Sequence, residues 1–206
     1  NKVIEIYDAA TFATGALPLK QMVTPPKLVR LAASVGKSFY ALFPGKVLAW
    51  DGTTGTDVAI ANDPRDLAVS SDGKWVFVAE ASEKKVLLID TSKLADPPVK
   101  FDAPAPWRVA VADTTDGMRL ALADDSAKSL HLFSVKPGAA KPFEKLGDPY
   151  KLPSGNPPRI AFSNGARWVF VTGELKDANV YAIDAFAIEL KKPRTAESVA
   201  VGVNPR

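Results

Sequence analysis

The chain has 206 residues, 47% of them apolar and 24% charged, ordinary globular usage that allows a buried core and excludes wholesale disorder. Its net charge of +3 comes from 26 basic and 23 acidic side chains scattered without blocks, so no nucleic acid is expected as a partner. Cysteine is absent, which removes disulfides, thiolate metal sites and a cysteine nucleophile.

In chain order, the first predicted strands lie at residues 3–8, ending on Asp8, and at 19–23. From Pro26 a longer unit begins: Leu31-Ala32-Ala33-Ser34, a turn at Val35-Gly36, Phe39-Tyr40-Ala41-Leu42, then Val47-Leu48-Ala49-Trp50-Asp51, closed by 57–60. From Pro64 the same order returns in its clearest form. Leu67-Ala68-Val69-Ser70 leads through Ser71-Asp72-Gly73-Lys74 to Trp75-Val76-Phe77-Val78, then Val86-Leu87-Leu88-Ile89-Asp90, closed by 99–102.

A looser copy follows, with Val109-Ala110-Val111, a turn at Asp116-Gly117, Leu120-Ala121-Leu122 and Leu130-His131-Leu132-Phe133, closed by a weak strand at 150–152. The last copy runs from Ile160-Ala161-Phe162-Ser163 through Asn164-Gly165 to a second Trp-Val-Phe-Val at 168–171, then Val180-Tyr181-Ala182-Ile183-Asp184 and 198–201. Residues 185–190 contain good helix formers but are short enough to be one helical turn or part of a strand.

Asp-Gly and Asn-Gly supply the positive φ angles of tight hairpins, and Val, Phe, Tyr and Trp suit a pleated, half-buried surface. Each copy therefore predicts a four-stranded antiparallel meander. Such units spaced by ~40–50 residues, with no sustained helical period, predict an all-β propeller of four full blades plus a partial one. The expected blades are approximately 1–24, with third and fourth strands only, then 26–61, 64–102, 106–152 and 157–202, in a single domain.

The chain opens at Asn1 inside a blade and ends where a new first strand is due. The expectation is a fragment of a larger propeller of about seven blades, or a partial propeller whose edges another chain covers. Either way the remaining blades or another chain would be needed to close it. No apolar run is long enough to span a bilayer, and no signal peptide is recognisable.

Asp8, Asp51, Asp90 and Asp184 end four third strands, with Ser134 at the fifth. An aspartate there accepts a hydrogen bond from backbone two residues on and needs no metal. The basic doublets Lys84-Lys85 and Lys191-Lys192 are expected to be solvated turn charges.

The unit from Pro64 to Ala79, closed by Val86 to Asp90, resembles the bacterial YVTN-type repeat, related to lactonase-like and amine-dehydrogenase-like propellers. The likeness is strongest at 62–91 and 156–184 and weakest at 134–155. It implies a bacterial, often extracytoplasmic protein, periplasmic or secreted. It implies no catalytic residue, because no motif matches one, and fold does not fix activity.

His131 is the only histidine and is expected to be an ordinary strand residue, so no multi-histidine metal site is available. No nucleophile elbow, phosphate loop or calcium loop is present, and no metal or cofactor is expected. One constellation stands out. Aligning the copies places Arg30, Asp66, Arg108 and Arg159 at one repeat position beside the innermost strand, with Arg65 and Arg206 close by. That position approaches the mouth of a propeller channel, where converging guanidinium groups could hold carboxylate or phosphate. The same arginines could instead tie adjacent blades together through carbonyls or a carboxylate. Trp107, beside Arg108, could stack on a ligand or partner, while Trp75 and Trp168 are expected in core packing.

These features predict a non-catalytic binding scaffold presenting one face to a protein partner or a small anionic ligand. The rival is part of a lactonase-like or quinoprotein-associated enzyme.

Overall fold

The computed structural model describes residues 4–7, 19–23, 28–33, 38–153, 157, 159–173, 179–190 and 197–200. A two-stranded ribbon of β1 (Ile4–Tyr7) and β2 (Leu19–Val23) comes first. The next sheet comprises β3 (Arg30–Ala33), β4 (Phe39–Phe43), β5 (Lys46–Trp50) and β6 (Gly55–Ala59), and the third comprises β7 (Pro64–Val69), β8 (Trp75–Glu80), β9 (Lys85–Asp90) and β10 (Val99–Asp102). The fourth holds β11 (Pro106–Thr114), β12 (Gly117–Asp124), β13 (Ser129–Val135) and β14 (Phe143–Lys151). The fifth holds β15 (Ile160–Phe162), β16 (Trp168–Thr172), β17 (Asn179–Asp184) and β18 (Glu197–Ala200), with α1 (Ala185–Glu189) inserted after β17.

Within each sheet, strands pair in chain order and every pairing is antiparallel. Between sheets, β3 meets β7, β7 meets β11 and β11 meets β15, so the first strands form a common inner edge from which the four sheets fan out. The core fills the gaps between neighbours. Leu42, Val58, Val76 and Leu87 pack between the second and third sheets, and Phe77, Leu120, Leu122 and Phe133 between the third and fourth. Leu130, Val169, Val171 and Ile183 fill the seam between the fourth and fifth.

Period-2 alternation explains how one strand serves two seams. Along β8, Val76 and Val78 face the second sheet while Phe77 and Ala79 face the fourth, and all four are buried. Trp75 is half-buried against the same core, whereas Trp168 lies half-buried with the Arg167 guanidinium 5.3 Å from its ring.

The aspartates that end third strands act locally. Asp51 accepts from the N–H groups of Thr53 and Thr54 at 2.8 and 2.7 Å, and Asp90 from Ser92 at 2.9 Å. Asp184 accepts from Phe186 and Ala187 at 3.0 and 3.2 Å, which caps α1 and makes residues 185–189 a helical turn. Lys84 is exposed, and Lys85 pairs with Asp102. Asp8 and Lys191-Lys192 lie outside the described residues.

The closing strand of the loose copy differs from its expected position at 150–152. It is β14, nine residues from Phe143 to Lys151, and Leu152 lies beyond it. Its register breaks between the Leu130 and Leu132 pairings, where Gly147, Asp148 and Pro149 bulge out. Gly and Pro mark outer-edge strands and bulges and break the alternation that a sequence pattern needs. Gly147, at φ +63°, lies directly under the Ile188 carbonyl of α1, where any Cβ would collide with backbone. No helix among the described residues is long and apolar enough to cross a membrane.

Candidate functional site

The inner edge of the sheets carries a cavity of about 310 Å³ at the starts of the first strands. Arg30, Arg65, Asp66, Trp107, Arg108 and Arg159 all line it, so residues from four sheets converge because their repeat positions coincide. Arg30 opens β3, Asp66 and Arg108 each stand third in β7 and β11, and Arg159 immediately precedes β15. The strands thus start earlier than the sequence pattern suggests, on Pro64 and Pro106. Arg206 lies outside the described residues.

The register of β7 slips between Pro64 and Asp66, and that of β11 between Pro106 and Arg108. The extra residues are Arg65 and Trp107. A bulge re-aims the residue it inserts, and these two meet: the Arg65 guanidinium lies 5.4 Å from the Trp107 ring. Arg108 stacks on the same ring at 4.5 Å while its Nη1 donates to the carbonyls of Arg65 and Trp107 at 3.1 and 3.2 Å. Trp107 therefore organises two arginines, a role the expectation of ligand stacking did not include.

Asp66, 3% exposed, is the hub. Its Oδ2 accepts from the Val109 N–H at 3.2 Å, joining the third sheet to the fourth, and its Oδ1 lies 3.1 Å from Arg30 Nε of the second. That contact is an ion pair without hydrogen-bond alignment, so Arg30 Nε and Asp66 Oδ1 are both buried with no hydrogen-bond partner, as is Arg65 Nε. Burial pushes the Asp66 carboxyl up; Arg30, the Val109 N–H and Arg108 pull the other way without cancelling it. Burial likewise lowers Arg108, opposed by Asp66, with Arg159, Arg30 and Arg65 adding to the lowering.

Asp63 was not anticipated, although its sequence neighbours were. It holds Arg65 Nη2 at 2.9 Å and joins the cavity wall. The signal available was the Asn62-Asp63-Pro64 start of the blade, which puts a carboxylate two residues before an arginine. With it, four guanidiniums face two carboxylates. Blade-tying and an excess of positive charge thus coexist in one place.

His131 is buried in β13 with Nε2 3.1 Å from Ser129 Oγ and 3.4 Å from Asp124 Oδ2. Both contacts use the same ring nitrogen. A hydrolytic triad needs serine and carboxylate on opposite nitrogens, so this cluster is not a relay. Asp124 Oδ1 meanwhile caps the turn through Ser126 and Ala127. Among the described residues no group of three acid or histidine side chains is placed to hold a metal.

No protein-family model and no curated protein sequence matches the chain. Solved structures do match. The periplasmic gluconolactonase of Pseudomonas aeruginosa superposes with a TM-score of 0.68 at 18% identity, covering 99% of this chain and 64% of that one. A putative 6-phosphogluconolactonase from Bacteroides uniformis gives 0.66 at 17% identity over 97% of this chain and 65% of that one. The dihydro-heme d1 dehydrogenase NirN, in complex with DHE, gives 0.67 at 19% identity over 96% of this chain and 41% of that one. The fold is a β-propeller. Its four-stranded sheets are blades, and the arginine-lined cavity sits where their inner strands begin. The chain spans about two-fifths to two-thirds of the propeller structures it matches.

Proposed function

We propose that this propeller is a binding scaffold that holds a small anionic ligand, a carboxylate or phosphate, in the arginine-lined cavity at the inner ends of its blades. The observation that carries this is the imbalance of four guanidiniums over two carboxylates around one cavity, with Arg30 Nε and Arg65 Nε buried and lacking acceptors. A buried guanidinium N–H without an aligned acceptor is costly, and an anion in the cavity would add acceptors there while relieving the mutual repulsion that Arg108 feels. The YVTN-type repeat, a propeller with further blades and an extracytoplasmic location belong to the same reading. They are supported by the Trp-Val-Phe-Val repeats and by similarity to a periplasmic gluconolactonase.

Titration calorimetry with citrate and with inorganic phosphate tests it. Saturable binding that weakens about 10- to 100-fold in Arg108→Ala and in Arg159→Ala, and falls with added salt, is expected. Unchanged binding combined with a lowered melting temperature would leave only the blade-tying role.

The lactonase-like alternative is supported by the similarity to gluconolactonases and by Asp66, a buried carboxyl of raised pKa within the cavity. Hydrolysis of gluconolactone that disappears in Asp66→Asn would favour it over passive binding.

A further inference from the structure

A groove of about 860 Å³ opens between the fourth and fifth blades, at the ends of the strands opposite to the arginine cavity. The course of β11 separates the two. Arg108, near its start, lines the first, while Asp113 and Thr114, at its end, line the second. The fifth blade contributes Gly165, in the turn between β15 and β16, and Phe186 and Glu189 of α1.

The helical turn fixes what it displays. Asp184 caps it, Ala185, Ala187 and Ile188 are buried, and it packs on β13 and β14 with the Ile188 carbonyl against Gly147. Phe186 is left 43% exposed at the groove. The Arg119 guanidinium lies over its ring at 4.3 Å and is itself held by Glu189, 2.5 Å from Nη2. Leu146 and Met118 continue the apolar surface. A large ring left in water, with an arginine already ordered against it, is the kind of anchor that protein interfaces favour.

Charge selects the partner. Four carboxylates, of Asp113, Asp116, Glu144 and Glu189, line the groove against two cations, Arg119 and Lys136. Glu189 is engaged by Arg119, and Asp113 accepts from the Ser71 N–H at 3.0 Å. Asp116 and Glu144 are exposed and form no ion pair among the described residues. The two ends of these strands thus carry opposite signs, although the chain as a whole is at +3. An anion meets the wrong sign here. A metal ion finds no suitable set of three acid or histidine side chains among the described residues, and it would leave Phe186 in water. A chain segment with a lysine or arginine beside a large apolar side chain matches both features. We infer that this groove docks a basic peptide segment of a partner protein, its apolar side chain on Phe186 and its cation at Asp116 and Glu144.

The arginine cavity plays no part in this docking. Random dodecapeptides displayed on phage, selected on the protein and counter-selected on Phe186→Ala, test it. Retained peptides are expected to carry a net positive charge and at least one large apolar residue. A synthetic peptide of retained sequence should bind saturably in fluorescence anisotropy. Its affinity should fall about 10-fold or more in Phe186→Ala and about 3- to 10-fold in the double variant Asp116→Asn/Glu144→Gln. Both acids are exposed, so the double variant replaces Phe186→Ala in the counter-selection if the latter folds poorly. Retention of neutral or acidic peptides overturns the proposal, as does failure to recover any peptide that distinguishes the protein from its variants. Self-association of the protein that both variants abolish would also overturn it, by making the occupant a second copy.

Discussion

Trp-Val-Phe-Val occurs in both β8 and β16, and the two copies have different surroundings. In β8 the phenylalanine, Phe77, is fully buried between the third and fourth blades; in β16 its counterpart, Phe170, is 40% exposed. The valines behave alike, for Val76, Val78, Val169 and Val171 are all buried against a preceding blade. Local sequence thus decides that a strand forms and which residues share a face. A neighbouring blade decides whether that face becomes core.

The largest expected effect breaks this pair apart. Phe77→Ala should destabilise by about 3–5 kcal/mol in urea unfolding, while Phe170→Ala should cost at most ~1 kcal/mol. Equal losses would mean that chain outside the described residues covers β16. The seam between the fourth and fifth blades offers the next test. Gly147→Ala drives a Cβ into the Ile188 carbonyl and should cost about 1–3 kcal/mol by the same measurement. Wild-type stability would show that α1 does not rest on β14.

Third-strand aspartates sharpen the contrast at smaller scale. Asp184 caps α1 with two backbone bonds while Asp90 accepts from one backbone N–H, so Asp184→Ala should lower stability by about 1 kcal/mol and Asp90→Ala by less. The smallest effect concerns His131, whose pKa is pushed below its usual 6.5, chiefly by burial, with Lys145 adding and Asp124 opposing. Below pH 6.5 the unfolded chain takes up a proton that the folded chain resists, so stability is lost as pH falls from there towards the lowered folded value. His131→Gln should flatten that part of the pH profile of the melting temperature; an identical profile would refute the assignment.

The strands with alternating apolar residues and Asp-Gly or Asn-Gly turns were legible, because hairpin chemistry is local. β14 was not, since an outer-edge strand with Gly147 and Pro149 buries one side at most and loses its pattern at the bulge. Arg30, Asp66, Arg108 and Arg159 were legible as a group because position in a repeat becomes position around an axis. The pairing of Arg65 with Trp107 needed two bulges, which no periodicity signals.

By itself the sequence determined the repeat, the order of strands within each sheet and the residues brought to the inner edge, since these follow from side-chain period and turn residues. The tertiary structure alone decided which equivalent side chains are buried, which arginines stack or pair with a carboxylate, and where cavities open. Those outcomes depend on the distance and tilt between blades, to which residues far apart in the chain contribute together.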